Sequence, residues 1–156
     1  MSVAESRTLR LERTFDAPAE DVFDAWTNPE VLRRWWAADP AGHTPVAEVD
    51  LRVGGAYRLT MQDGEGGALH TVRGEYREVA RPERLVYTWA WEEEGGVLGH
   101  ESVVTVRFLG EDDRTTVVLE HADLASEESR DRHGVGWSGC LENLQLRVLS
   151  GAARPA

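Results

Sequence analysis

Apolar residues recur along this chain with two different periods, and the switches between them mark its elements. From Thr8 to Phe15, Leu9, Leu11 and Phe15 alternate with Arg10, Glu12 and Thr14, which is a strand pattern. Asp16 to Asp21 then reads as a helix start. Pro18 suits the first helical position, and the acids around it complement the helix dipole. Val22, Phe23 and Trp26 give this helix one apolar face, and it should stop at Asn28, because a residue before proline avoids helical geometry. Asn28-Pro29 caps a second short helix carrying Val31, Leu32, Trp35 and Trp36 on one face.

From residue 45 the period becomes two. Val46 to Val53 reads as a weak strand closed by the Gly54-Gly55 turn, and Tyr57, Leu59 and Met61 alternate with Arg58 and Thr60. After the glycine-rich turn at 63–67, a longer strand runs from Leu69 to Ala80 and ends at Arg81-Pro82-Glu83. Leu85, Tyr87, Trp89 and Trp91 share one face of the next strand, and Glu92-Glu93-Glu94-Gly95-Gly96 is an exposed loop. Ser102–Leu109 and Thr115–Ala122 complete a meander of antiparallel strands.

The period changes once more at the end. Trp137, Leu141, Leu144 and Val148 form one stripe of a long helix that begins within 125–131 and runs to about Leu149. The order β, α, α, six β, long α predicts an α+β domain whose curved seven-stranded antiparallel sheet surrounds the C-terminal helix. The expectation is one domain over residues 1–156, with its core at about 8–149 and a frayed tail from Gly151.

Composition narrows the chemistry. A chain of 156 residues with 41% hydrophobic and 29% charged residues buries roughly 69% of its extended surface, enough for a substantial core. The net charge of -11 opposes nucleic acids and anionic membrane surfaces, both of which demand a positive field. All 17 basic residues are arginine, which excludes Schiff-base lysine chemistry and the phosphate-binding loop that needs a lysine. This lysine-free bias fits a GC-rich bacterial genome. Cys140 is the single cysteine, so no intrachain disulfide forms, and its place beside Leu141 predicts an inert core thiol. With no apolar leader after Met1 and no apolar run of roughly 20 residues, the expected location is the cytoplasm.

No catalytic or metal-binding constellation stands out. His43, His70, His100, His121 and His133 contain no zinc spacing, and Gly136-Trp137-Ser138-Gly139 lacks the spacing of a nucleophile elbow. Glu101 and Glu120 could act as acids or bases only if buried, and Glu120 alternates with the apolar Leu119. His121 follows Val117 and Leu119 on an apolar face, so it is either a polar group inside the fold or a histidine at the sheet edge. The strand-spaced aromatics are either core packing or the lining of a cavity, with Gly134, Gly136 and Gly139 leaving room beside the long helix. No metal and no cofactor are expected.

The run Phe15-Asp16-Ala17-Pro18-Ala19-Glu20-Asp21-Val22-Phe23-Asp24-Ala25-Trp26-Thr27-Asn28-Pro29-Glu30, followed by Trp35-Trp36, resembles the opening of the family of activators of heat-shock protein 90 ATPase. Asp50 to Arg58, Gly74-Glu75-Tyr76, Pro82 to Trp89, Glu101 to Val106 and Gly136-Trp137 continue the likeness over roughly residues 8 to 149. The resemblance implies a START-like helix-grip fold, of the superfamily also called SRPBCC or Bet v-like, with a hydrophobic cavity between sheet and helix. A small hydrophobic or aromatic ligand is then expected against Trp35, Trp36, Tyr57, Met61, Tyr76, Tyr87, Trp89, His121, Trp137 and Leu141. The alternatives are a cyclase- or hydrolase-type enzyme in the same cavity, and a chaperone-directed interaction module of the stress response. A homodimer is compatible with either.

Overall fold

Seven strands form one curled antiparallel sheet in the computed structural model, which describes residues 6–64 and 66–149. The expected frayed tail from Gly151 lies outside the described residues. The strands are β1 (Leu9–Phe15), β2 (His43–Val49), β3 (Ala56–Gln62), β4 (Leu69–Ala80), β5 (Arg84–Trp91), β6 (Ser102–Glu111) and β7 (Arg114–Ala122). Their spatial order is β1-β7-β6-β5-β4-β3-β2. From β2 to β7 each strand pairs with the next, while β1 closes onto β7 with Leu11 opposite Leu119. The two edges are therefore β1 and β2, and the chain between them must cross the whole sheet.

Two short helices, α1 (Ala19–Thr27) and α2 (Pro29–Trp35), make that crossing. Pro18 stands just outside α1 in extended geometry, and Asn28 accepts a hydrogen bond from the Glu30 amide to cap α2. α2 ends at Trp35, so Trp36 belongs to the connection that follows rather than to the helical face. Strand β2 also differs from expectation, starting at His43 and stopping at Val49 instead of spanning Val46 to Val53. Arg52 and Gly55 donate to the carbonyls of Asp50 and Arg52 and turn the chain early, while Pro45 is tolerated because β2 is an edge strand.

The long helix α3 (Glu127–Arg147) is capped by Ser126, whose side chain accepts from the Ser129 amide. Its C-terminal half is clamped to the 36–42 connection. Asn143 donates to the carbonyls of Ala37 and Asp39 at 2.8 and 3.2 Å, and Arg147 donates to that of Gly42 at 2.7 Å. Arg13 of β1 reaches Glu142 at 2.5 Å and Gln145 at 2.9 Å from the other side. Leu141 and Leu144 are buried in the core this clamp creates.

The helix glycines do not share one role. A Cβ on Gly139 would stand 2.1 Å from the Ala38 carbonyl oxygen, so Gly139 permits close approach instead of leaving room. A Cβ on Gly136 would meet nothing nearer than the Ala38 methyl at 3.9 Å. Gly139→Ala is therefore expected to lower stability by about 1–3 kcal/mol through overpacking. Gly136→Ala should match or raise wild-type stability, because alanine favours the helix by about 1 kcal/mol. Thermal denaturation of the two variants side by side checks the contrast, and equal losses would contradict the clamp.

Candidate ligand-binding cavity

Between the N-terminal half of α3 and the concave face of the sheet lies a cavity of about 600 Å³. Its floor is aromatic and closed: Trp36, Met61, Trp89, Trp137 and Cys140 line it and are all buried. Its rim is polar and reaches solvent through Asp63, His70, Glu93, His100 and Arg132. On α3 the lining residues Ser129, His133, Gly136 and Cys140 recur every three or four positions. They form a face distinct from the core stripe of Leu141 and Leu144.

The tryptophans are in mutual contact. Trp89 packs edge-on against Trp91 at 5.3 Å between ring centres, lies 5.1 Å from Trp137, and meets Trp36 at 5.9 Å. Trp137 stacks on Trp26 at 6.1 Å, and Trp26 touches Trp35 at 5.0 Å, so all six tryptophans belong to one network. The Trp89 Nε1–H is buried with no hydrogen-bond partner, at a cost of about 1–3 kcal/mol.

Two histidines accept the indole protons of Trp91 and Trp137 beside the cavity. Trp91 Nε1 donates to His133 Nε2 at 3.0 Å, and Trp137 Nε1 donates to His121 Nδ1 at 3.1 Å. An indole N–H is a donor only, so each of those ring nitrogens carries a lone pair. The opposite nitrogens hold the protons: His133 Nδ1 donates to the Ser129 carbonyl at 2.8 Å, and His121 Nε2 donates to Ser102 Oγ at 2.7 Å. Ser102 passes its own proton toward the Trp89 carbonyl at 3.3 Å. A serine nucleophile needs a neighbouring imidazole lone pair, and here Ser102 faces an N–H. The Cys140 thiol is likewise protonated, because burial pushes its pKa up to about 12. Among the described residues, no group of three or more histidine, cysteine or acidic side chains could hold a metal ion.

The sequence-predicted lining residues divide into three sets. Trp36, Met61, Trp89 and Trp137 stand in the cavity wall. Tyr57, Tyr76 and Tyr87 pack on one another at 5.3–5.9 Å around a separate void of about 20 Å³, behind Trp36 and Trp89. Trp35 donates to the Ala25 carbonyl inside the core, and Leu141 lies further along the clamped half of α3. His121 is fully buried behind Trp137; β7 runs between β1 and β6, so it is no sheet-edge histidine. Sequence reasoning left out His133 and Ser129, although His133 precedes Trp137 by one helical turn and Ser129 precedes His133 by another. Of the rim residues, Asp63, Glu93 and His100 come from turns and loops, His70 from the start of β4 and Arg132 from α3, so no single period groups them.

A curled antiparallel sheet that grips a C-terminal helix over an internal cavity defines a START-like helix-grip domain. The chain belongs to the family of activator of Hsp90 ATPase homolog 1-like proteins, whose model matches residues 16–148. An AHSA1 protein from Silicibacter pomeroyi is similar at 30% identity, over 88% of this chain and 94% of its own, with a TM-score of 0.78. An AHSA1-like protein from Aeromonas hydrophila is 27% identical over 96% of both chains, also at 0.78. An HSP90 activator from Plasmodium falciparum shares the fold at 24% identity, over 90% of this chain and 94% of its own, with a TM-score of 0.66. No curated protein matches the sequence. No helix among the described residues is long and apolar enough to cross a membrane.

The buried imidazoles make stability depend on pH. Burial, reinforced by nearby His133, lowers the His121 pKa from 6.5 to about 3; burial also lowers that of His133, with Arg132 adding to the effect and the Ser129 carbonyl opposing it. The unfolded chain therefore binds more protons below pH 6.5, and folding stability is lost as pH falls from there toward 3. Between those two values His121 contributes a slope approaching about 1.4 kcal/mol per pH unit, and His133 adds in the same direction. Urea titrations from about pH 7 to about pH 5 should show this decline. A flat profile would contradict a buried neutral His121.

Proposed function

We propose that this domain binds a small, flat, hydrophobic molecule in the cavity between the sheet and α3. The observation that carries the reading is the wall itself: Trp36, Trp89, Trp91 and Trp137 surround a space of about 600 Å³, within the usual range of about 300–1,000 Å³ for small-molecule sites. The indole N–H groups of Trp91 and Trp137 are already bonded to histidine, so these walls offer a guest aromatic surface more than hydrogen bonds. Any polar substituent of the ligand belongs at the rim, beside His100 and Arg132.

Catalysis in the same space has less support. The imidazoles of His121 and His133 use their lone pairs on tryptophan, and the Cys140 thiol is protonated. In the cavity's aromatic wall these groups supply neither a general base nor an activated nucleophile, and Asp63, His70, Glu93 and His100 lie at the rim. A chaperone-directed role, suggested by the family's name, would act through the outer surface, where Leu69, Val97 and Leu98 are exposed apolar side chains.

The neutral fluorophore N-phenyl-naphthylamine tests the ligand reading. It should bind the folded protein at one site and quench tryptophan emission, because the guest lies against indoles. Gly136→Leu projects a side chain into the cavity and should weaken that binding by about tenfold or more without lowering the melting temperature. Absence of any saturable response in the wild-type protein would remove this reading and favour the outer surface.

A further inference from the structure

Across the cavity, α3 and the sheet are joined by two hydrogen bonds that run in opposite directions. Trp91 of β5 donates into α3 at His133, and Trp137 of α3 donates into β7 at His121. Both depend on an imidazole lone pair, and the two rings lie only 4.9 Å apart. A proton arriving on either accepting nitrogen would set two donors head to head. His133 is the half-buried member and lines the cavity, whereas His121 is sealed behind Trp137. Acid therefore reaches His133 first.

We propose that the Trp91–His133 hydrogen bond is an acid-operated latch on the cavity, which protonation of His133 opens to release the bound molecule. The proposal rests on the ligand-binding reading above and adds its regulation. The surroundings of His133 favour such a response. Trp89 and Trp91 face it from β5 at 6.2 and 6.3 Å, and His121 faces it from β7. On α3 its neighbours are the Ser129 carbonyl, which accepts its Nδ1 proton, and the cationic Arg132. Glu93, His100 and the hydrogen-bonded pair of Asp63 and His70 line the same cavity at its rim, and none of them hydrogen-bonds His133. An imidazolium formed there would thus lie among aromatic rings and another cation. A guest filling the cavity covers His133 and favours its neutral form. By linkage, the proton and the guest then weaken each other's binding by the same factor.

The test is an N-phenyl-naphthylamine titration of the wild-type protein and of His133→Gln, at several values from about pH 7.5 to about pH 4.5, with circular dichroism reporting that the fold persists. Glutamine retains an acceptor for Trp91 and cannot titrate in this range. Wild-type affinity should fall by about tenfold across the range, while the affinity of His133→Gln stays flat, whatever its value at high pH. In parallel, nitrogen NMR follows the Trp91 indole N–H and the His133 ring of the wild-type protein with no probe present. The indole resonance should move at the same pH as protonation of His133. A probe that binds with identical pH profiles in both proteins overturns the latch and leaves the ligand reading standing. A probe that never binds, with the indole signal still tracking His133, removes the ligand reading while the switch itself stands. An indole signal that ignores His133 protonation overturns the switch outright.

Discussion

The open space in this fold depends on α3 being clamped at one end. Where Gly139 lies flush on the Ala38 backbone and Asn143 and Arg147 hold the carbonyls of residues 37–42, the helix closes onto its neighbours and Leu141 and Leu144 fill the gap. Towards its N-terminus the helix is tied instead at its outer side, where Arg130 donates to the Ser6 carbonyl at 2.8 Å. On the cavity side the helix meets the sheet through long side chains, indole to imidazole, and the space between them is not filled by protein atoms. A second clamp at Gly136 would close the cavity; its 3.9 Å clearance from Ala38 keeps that half apart.

Much of this architecture was legible in the sequence. The alternation in β3 to β7, the Asn28 cap and the stripe on α3 led to the right elements, because burial against one partner imposes one period. Strand β2 was misplaced since Val46 to Val53 contains only a faint alternation, and the turn at 50–55 is set by backbone hydrogen bonds that the apolar pattern does not encode. The site was half legible. Tyr57, Tyr76 and Tyr87 share the concave face with Trp89 and Met61, so periodicity groups them together. Only the path of α1 and α2 decides which part of that face is covered. The tyrosines fall beneath the covered part and pack solid, while Met61 and Trp89 stand under the open one.

The polar groups inside show how protons are fixed in the wall of the cavity. Burying Ser102, His121 and His133 near a hydrophobic space costs free energy unless every donor finds an acceptor. The chain from Trp137 through His121 and Ser102 to the Trp89 carbonyl meets that requirement by fixing the direction of each proton. The same ordering sets His121 with its N–H toward the serine, the reverse of what nucleophilic attack needs. Satisfaction of buried polar groups and readiness to react compete along this chain, and satisfaction has won there, although the nearby Trp89 Nε1–H stays unpartnered. For a family whose fold hosts varied roles, these side chains say more about this member than its backbone does.

The tryptophan network has an optical consequence. Six indoles linked ring to ring, from Trp35 through Trp26 and Trp137 to Trp89, Trp91 and Trp36, lie close enough for their electronic transitions to mix and for excitation to pass among them. Light absorbed deep beside α1 can be emitted from the indole bonded to His133. The emission of the whole protein, and the sign pattern of its near-ultraviolet dichroism, thus report events at one wall of the cavity without any attached label.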